Sequence, residues 1–321
     1  KNHIENSKNI NLVLNTQVSH FEGDNNLTKN AVCFSNGKKY KIKSKYFILA
    51  CGGIENSRIM LWTREKNDNL INPYLPIGKY WMCHPWLLGG IGIIKKNKFK
   101  KILKKRFLEY DGPIHIATSE KIRIEKKILG GSIYMNAEED TKLHKEIIKD
   151  LLCISPELGK KIARKVFKKD LKCGNIFLQL EEEAIESNQI KLHEVIKDNL
   201  NIPITKLIYN QSESTLNNAK IMLEEFGNFC KKTNSGRVAA KEEIHELEGY
   251  ESLGVHHHMG GTKMGNNSKN SVVDKNLKVH DVKNLYIAGS SNFVSGGYAN
   301  PTYTIIQLSL RLGTEIGSKL I

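Results

Sequence analysis

Two short segments near the end of the chain hold residue types that can take up a proton or form directed hydrogen bonds. The first is a run of three histidines, His256 to His258, followed after one residue by Gly260 and Gly261. An imidazole titrates near neutral pH and can act as a general base, and adjacent glycines let the backbone approach a ligand closely. The run could instead consist of structural histidines or bind a metal ion. Because consecutive side chains point in different directions and no carboxylate or thiol lies at ligand spacing, the pattern disfavours a metal.

The second segment is Asn300-Pro301-Thr302, at the start of the last helix that the sequence predicts. Apolar residues recur at helical spacing from Thr302 to Ile316, and a proline in the first turn of a helix costs no hydrogen bond. Taken alone, Asn300 is most simply the capping residue of this helix. A functional site explains the histidine run and this segment together better than it explains either one alone.

Two predicted strands end in glycine turns. Tyr46–Ala50 is a continuous apolar run, as expected of a strand buried on both faces, and Cys51-Gly52-Gly53 follows it before helical spacing resumes. Leu285–Ala288 is a second short buried strand, and it ends on Gly289. A strand, a glycine turn and a helix in this order bring the N–H groups of the helix start toward a phosphate.

The first part of the chain predicts further strands. A strand is predicted over Asn11–Val18, and a turn-rich segment follows it. Ala31–Phe34 and Tyr40–Ile42 then flank Asn36-Gly37, a dipeptide typical of the tight turns that close hairpins. The sequence therefore predicts an antiparallel hairpin ahead of the Tyr46–Ala50 strand.

The middle of the chain, Thr63 to Tyr250, predicts a separate layer or domain that is rich in lysine. Its predicted elements are strands at Gly89–Ile94, Leu129–Met135, Ile176–Leu180, Gln189–Leu192 and Lys206–Tyr209, and a helix over Leu143–Phe167. Apolar residues at three- and four-residue spacing between Leu216 and Phe229 predict an amphipathic helix packed on a sheet. The predicted fold class is α/β (α+β), with an antiparallel sheet flanked by helices in this middle part.

Composition excludes several classes of function. The 321 residues are 40% hydrophobic and 26% charged, which suits a globular protein. The net charge of +15 comes almost entirely from lysines spread along the chain, whereas nucleic-acid recognition favours clustered arginines with aromatic residues. The most apolar stretch, Trp86–Ile94, is too short and glycine-rich to cross a bilayer. Six cysteines without CxxC spacing favour reduced thiols and a cytoplasmic location.

Several of these segments together resemble the glucose-methanol-choline (GMC) oxidoreductases, flavoenzymes that oxidise alcohols. The His-x-Gly-Gly-Thr and Ala-Asn-Pro-Thr patterns are most similar to the sugar-oxidising branch, which includes pyranose oxidase. The segments that carry the resemblance are His258–Gly265, Val272–Asp274, Val279–His280, Asn284–Ser290 and Ala299–Thr302, with Asn11–Val18, Ala50–Arg58 and Gly78–Pro85 earlier in the chain. The resemblance is faint from Asn97 to His245.

The resemblance implies an incomplete FAD-binding, Rossmann-like domain from residues 1–62 and 251–321, and a substrate-binding domain from residues 63–250. The family opens with a G-x-G-x-x-G strand-turn-helix that seats the flavin pyrophosphate, and this sequence contains no such element. A missing N-terminal FAD-binding segment is therefore an expected partner. The alternative is a non-catalytic C-terminal fragment that cannot retain FAD without that segment.

The resemblance also implies a reaction, the oxidation of a CH–OH group on a sugar or polyol, with hydride passing to flavin N5. His258 matches the catalytic histidine of the family and would take the hydroxyl proton. Asn300 matches the second catalytic position, where its amide would hold the alcohol oxygen. His84, next to Pro85, is a weaker candidate for a second base, because the family does not use it for proton transfer. The electron acceptor is left open.

The FAD contacts that the resemblance implies fall at strand ends and at the start of the last helix, whose N–H groups would stabilise negative charge on the flavin. For Cys51, a small buried residue is an equally good explanation. The implied contact residues are Val18 (through its backbone, at the adenine), Ala50, Cys51, Gly289, Ser290, Asn300, Pro301 and Thr302. No metal ligand is implied.

Overall fold

The computed structural model describes residues 7–67, 69–95, 98, 101–102, 115–136, 171–241 and 257–320. The helix predicted over Leu143–Phe167 and the first histidine of the run, His256, lie outside the described residues. The described part combines helices with four small sheets, so the predicted α/β (α+β) class is confirmed. Strands and helices are numbered below in chain order.

The first sheet is an antiparallel meander whose strands are β1 (Thr16–Asp24), β2 (Leu27–Ser35) and β3 (Lys38–Lys43). Between β2 and β3, Asn36 and Gly37 have φ of 48° and 73°, which confirms the predicted hairpin turn. The strand predicted from Asn11 was wrong over its first half. Asn15 has a left-handed φ of 52°, which an extended strand cannot adopt, so β1 begins at Thr16.

A second unit joins the two predicted glycine-ended strands. β4 (Phe47–Leu49) pairs in parallel with β12 (Leu285–Ile287), and Phe47 lies opposite Leu285. α1 (Gly52–Lys66) follows β4, and α4 (Thr302–Ser318) is the last helix. The predicted strand-turn-helix is confirmed, but burial on both faces is not. Ile48, in the centre of β4, is 48% exposed.

The middle of the chain forms a five-stranded antiparallel sheet in the order β11-β5-β8-β7-β6. Its strands are β5 (Trp86–Lys95), β6 (Ile116–Ala117), β7 (Gly131–Asn136), β8 (Leu171–Leu180) and β11 (Gly236–Ala240). A short helix, α2 (Glu120–Lys126), lies between β6 and β7. The predicted amphipathic helix is confirmed as α3 (Glu213–Lys232), whose buried face packs on Ile176, Leu178 and Leu180 of β8.

A two-stranded antiparallel sheet of β9 (Gln189–Lys197) and β10 (Pro203–Ile208) packs against α1. Arg58 of α1 makes the polar connection, since its Nε donates to the carbonyl of Pro203 at 2.8 Å and its guanidinium reaches Asp198 at 2.6 Å. The Arg58 side chain is buried. It therefore fixes this hairpin to the helix that follows β4.

The described residues contain neither a helix that could span a membrane nor a cluster that could hold a metal ion. None of their helices is both long and apolar enough to cross a membrane, and no three of their His, Cys, Asp or Glu side chains are grouped so as to hold a metal ion. Cys33, Cys83 and Cys230 are free and buried, and Cys51 is free and exposed. The domain boundaries at residues 62/63 and 250/251 remain a prediction.

Candidate active site

The last histidine of the run, His258, lies between the two glycine turns. Its ring stacks on Trp81, with 5.7 Å between the ring centroids and 28° between the ring planes. Its carbonyl oxygen accepts a hydrogen bond from Ser290 Oγ at 2.6 Å, just after β12. A Cβ atom on Gly53, in the first turn of α1, would overlap that carbonyl oxygen, so this position requires glycine. His258 is thereby held against both strand-to-turn connections.

The paired glycines after Met259 allow the chain to pack closely on itself. Gly260 and Gly261 have φ of 73° and 91°, in the region that favours glycine. A Cβ on Gly260 would overlap the Tyr80 carbonyl, and one on Gly261 would overlap Ser57 Oγ. The close approach expected at these glycines is thus made to protein, and it fixes the backbone that carries His258.

Asn56, in the first turns of α1, connects the ends of the two parallel strands, and sequence reasoning assigned it no role. Its Oδ1 accepts from the Cys51 N–H at 2.7 Å, and its Nδ2 donates to the Ala288 carbonyl at 2.9 Å and to Ser291 Oγ at 2.8 Å. Asn56 is fully buried. The predicted contact residues Ala50 and Cys51 therefore lie at the same sheet edge as those that follow Ala288.

Gly289 lies two residues after β12 and has a φ of 115°. A Cβ there would have only Asn56 Nδ2, at 3.7 Å, within 4 Å. Gly52 ends the β4 turn with a φ of 91°, and a Cβ there would meet nothing within 4 Å. Both strand ends therefore present bare backbone to open space. Gly289 is one of the residues at which the family resemblance implied a cofactor contact.

The last helix begins at the predicted residue, but its cap differs from the prediction. α4 starts at Thr302, and Pro301, not Asn300, occupies the N-cap position, with no side chain capping the helix. Asn300, taken alone, was predicted to be the capping residue; it precedes the N-cap position, and no side chain caps the helix, so that interpretation was wrong. The first N–H groups of α4, at Thr302 and Tyr303, have no acceptor within the helix.

A chain of polar side chains leads from Asn300 to the histidine run. Gln179 of β8 lies with its Nε2 3.4 Å from Asn300 Oδ1 and 3.4 Å from His84 Nδ1. His84 Nδ1 lies 3.0 Å from His257 Nδ1, and His84 Nε2 lies 3.1 Å from the Gly296 carbonyl. The described contacts thus link Asn300 to His257, whereas those of His258 run to Trp81 and Ser290. Sequence reasoning singled out neither Gln179 nor His257.

A buried carboxyl group, that of Glu182, lies next to Cys83. Glu182 is 2% exposed, and its Oε2 accepts from the Cys83 N–H at 2.9 Å and lies 3.4 Å from Cys83 Sγ. Tyr209, which hydrogen-bonds to Glu182, packs edge-on against Trp81 with 5.4 Å between ring centroids. Burial raises the pKa of Glu182, although hydrogen bonds from Cys83 and Tyr209 act in the opposite direction. The sequence concealed this residue within a run of glutamates that is typical of a surface.

Three of the remaining predicted contact residues lie at the end of β4 and on β1. Ala50 and Cys51 are exposed at the end of β4, so the alternative of Cys51 as a small buried residue was wrong. Val18 lies on β1 opposite Cys33, beside an irregularity in the strand pairing, and it is partly buried against the core that contains β4. Its described contacts do not join it to Gly289 or α4.

Comparison with known proteins agrees with the resemblance in the sequence. Residues 184–309 match the model of the GMC oxidoreductase family for its C-terminal domain. The chain is 24% identical over 313 residues to the fructose dehydrogenase large subunit of Gluconobacter japonicus, covering 95% of this chain and 53% of that protein. It is 23% identical to the 2-methyl-1,2-propanediol dehydrogenase of Mycolicibacterium austroafricanum, covering 88% and 50%. The chain therefore spans about half the length of these relatives.

Solved structures share the fold. An FAD-dependent oxidoreductase from Chaetomium thermophilum superposes with a TM-score of 0.61 at 12% identity, covering 99% of this chain and 63% of that one. Pyridoxine 4-oxidase from Mesorbium loti superposes with a TM-score of 0.59 at 10% identity, covering 96% and 58%. A formate oxidase gives 0.58 at 14% identity, covering 98% and 62%. The family match concerns residues 184–309, and the solved structures, all of them below 25% identity, show a shared fold.

Proposed function

We propose that the chain is part of an FAD-dependent oxidoreductase that oxidises the CH–OH group of a sugar or polyol. The observation that carries the proposal is the meeting, at one sheet edge, of the ends of β4 and β12 with the backbone of His258, through Asn56 and Ser290. Ligands of parallel sheets bind in the crevice outside the carboxyl ends of the strands. The names of the two curated relatives, which act on fructose and on a diol, support an alcohol as the substrate.

The residues at this edge fit a dinucleotide cofactor. The bare backbone at Gly52 and Gly289 leaves room for close approach, and the uncapped start of α4 offers N–H groups to negative charge. A pyrophosphate and a flavin ring need both properties. The proposed FAD contacts are Val18, Ala50, Cys51, Gly289, Ser290, Asn300, Pro301 and Thr302, with Val18 at the adenine.

The chain's own residues would handle the proton and the oxygen of the substrate. FAD, when bound, supplies the hydride acceptor, flavin N5, for the hydrogen on the alcohol carbon. His258 takes the hydroxyl proton on a ring nitrogen, and its stacking on Trp81 fixes the plane of the ring. Asn300 donates an amide N–H to the alcohol oxygen but cannot take the proton, so His258 is the base. The product is a carbonyl compound.

A further polypeptide segment, of the G-x-G-x-x-G strand-turn-helix type, is part of the proposal. In the described part of the chain, β4 and β12 form a parallel sheet of two three-residue strands, and parallel sheets are normally covered on both faces. Large apolar side chains stand exposed on β4 and α4, namely Ile48 (48%), Tyr303 (74%), Ile306 (50%) and Leu310 (62%). Such a segment would cover these residues and supply the pyrophosphate loop.

The first experiment asks whether the intact protein that contains this chain binds FAD and is reduced by alcohols. The protein is purified, its visible spectrum is recorded, and flavin bleaching is followed by anaerobic rapid mixing with ketohexoses, aldohexoses and polyols. Bleaching by one of these classes is expected. A protein that includes the dinucleotide-binding segment and still remains colourless when supplied with FAD would contradict the proposal.

The second experiment tests the base. The variant His258→Ala is expected to slow flavin bleaching by about 10²- to 10⁴-fold, the usual contribution of a positioned general base. His193→Ala, which changes a histidine on β9, is the matched control and is expected to alter the rate less than twofold. Bleaching of His258→Ala at the rate of the control would contradict the assignment.

A further inference from the structure

His84 connects three segments of the candidate site. Its role in catalysis, inferred below, rests on the function proposed above. The residue is 3% exposed and directly precedes Pro85 and β5. Its Nε2 lies 3.1 Å from the Gly296 carbonyl, in the loop that leads to Asn300. Its Nδ1 lies 3.0 Å from His257 Nδ1 and 3.4 Å from Gln179 Nε2.

These partners determine where the protons are. A carbonyl oxygen only accepts, so His84 Nε2 carries a hydrogen and donates it to Gly296. A neutral imidazole then has its lone pair on Nδ1, which accepts from the amide of Gln179. The same lone pair requires His257 to be the donor in the short Nδ1–Nδ1 contact. His257 is therefore the Nδ1–H form, with Nε2 as its accepting nitrogen.

The neutral form of His84 is favoured by its surroundings. Burial lowers the pKa of His84, and charge on His257 also lowers it, whereas the carbonyls of Gly296 and Gly297 and the Glu181 carboxylate act in the opposite direction. A cationic His84 would carry a hydrogen on Nδ1 and would face the amide donor of Gln179. The arrangement of hydrogen bonds in the structure is satisfied only when the ring is neutral.

Gln179 also contacts Asn300. The Gln179 amide nitrogen can only donate, and it lies 3.4 Å from Asn300 Oδ1. This contact uses the carbonyl end of the Asn300 carboxamide and turns its NH₂ end away from Gln179, as a donor. The proposed role of Asn300, to donate to an alcohol oxygen, requires that end.

We propose that His84 is a positioning residue: its two ring nitrogens set the tautomer of His257 and, through Gln179, the direction of the Asn300 carboxamide. His84 does not act as the second base considered from the sequence, because Gly296 and the two donors already use both of its nitrogens. It also anchors the loop from Ser295 to Asn300 by way of the Gly296 carbonyl.

The tautomers can be measured directly, independently of activity. In the intact protein labelled with ¹⁵N-histidine, long-range ¹H–¹⁵N spectra near pH 8 distinguish the two nitrogens of each ring. The expected result is Nε2–H for His84 and Nδ1–H for His257. Finding His257 as Nε2–H in the unmodified protein would overturn the proposal, whether or not the protein oxidises alcohols.

Two variants separate the two ring nitrogens. His84→Asn keeps an accepting oxygen near the Nδ1 position and loses the bond to Gly296; His84→Gln keeps a donor near the Nε2 position and loses the acceptor. His257 is expected to remain Nδ1–H in His84→Asn and to change to Nε2–H in His84→Gln. The same His257 tautomer in both variants would contradict the proposal.

Kinetics provide the second readout. Because Asn300 is proposed to act on the reacting oxygen, His84→Gln is expected to lower kcat about tenfold with KM changed less than twofold, the effect of one hydrogen bond made in the transition state. His84→Asn, which keeps the acceptor for Gln179 and loses only the bond to Gly296, is expected to lower kcat less than His84→Gln does. Equal loss in both variants would mean that His84 only packs. An inactive unmodified protein with the expected tautomers would instead reject the proposed function and leave the positioning intact.

Discussion

Asn56 offers the most direct test of how the two glycine-ended strands are held together. It is fully buried and makes three hydrogen bonds, one to the Cys51 N–H, one to the Ala288 carbonyl and one to Ser291 Oγ. The substitution Asn56→Ala removes all three while leaving the helix propensity of α1 unharmed. Any loss of stability then reports the connection between β4 and β12.

The expected loss of stability follows from the polar groups that Asn56→Ala leaves without a hydrogen-bond partner. The Ser291 hydroxyl can rotate to another partner, but the Cys51 N–H and the Ala288 carbonyl belong to the backbone and cannot. An unsatisfied buried polar group costs about 1–3 kcal/mol, and the Cys51 group is only partly buried. The free energy of unfolding should therefore fall by about 2–4 kcal/mol, and retention of FAD should fall with it.

Urea unfolding of the intact protein, followed by tryptophan fluorescence, measures this change, and the flavin absorbance per mole of protein measures FAD retention. Asn72→Ala is the matched control, because Asn72 bonds to Asp281 in an exposed pair at 2.8 Å. The control should change the free energy of unfolding by less than about 0.5 kcal/mol. If Asn56→Ala behaves like Asn72→Ala, the reasoning that Asn56 joins the strand ends is refuted.

Two further predictions concern Gly53 and Glu182. Gly53→Ala should lower the free energy of unfolding by about 1–3 kcal/mol, because the added Cβ overlaps the His258 carbonyl. In Gly313→Ala, the added Cβ in α4 meets nothing within 4 Å, so the free energy of unfolding should rise by about 0.5–1 kcal/mol. Calorimetry that ranks the two variants the other way would count against the packing described. The pKa of Glu182 is raised by burial in the folded state, so the folded protein binds the extra proton and stability should fall as pH rises from the ordinary glutamate value, near 4.5, through the raised one. Glu182→Gln should remove that slope, and thermal melts with the same pH dependence in both proteins would exclude the effect.

The sequence predicted those elements whose signals are local. The Asn36-Gly37 turn, the strand-glycine-helix at β4 and α1, and the amphipathic α3 each depend on neighbouring residues, and all three are present. The Asn11–Val18 strand failed over its first half for an equally local reason that hydrophobicity does not reveal, the left-handed backbone at Asn15.

The site was only partly predictable. The family resemblance singled out Ser290 and His258 for separate roles, and the contact between them is known only from the structure. The chain of contacts from Asn300 to His257 was not predictable, because it draws Gln179 from β8 and His84 from ahead of β5, segments that only the tertiary fold brings together. Glu182 was missed since a glutamate in a charged run is normally exposed, and only burial beside Cys83 distinguishes it.

The bond between Asn56 and Ala288 joins residues that are 232 positions apart. During synthesis, β4 and α1 leave the ribosome long before β12 exists, while the five-stranded sheet and α3 are complete well before the last strand is made. Closing so long a loop is entropically costly, and contacts of this kind form late. We therefore expect the middle of the nascent chain to fold first. β4 would remain unpaired, and its apolar residues would depend on chaperones, until β12 has been synthesised.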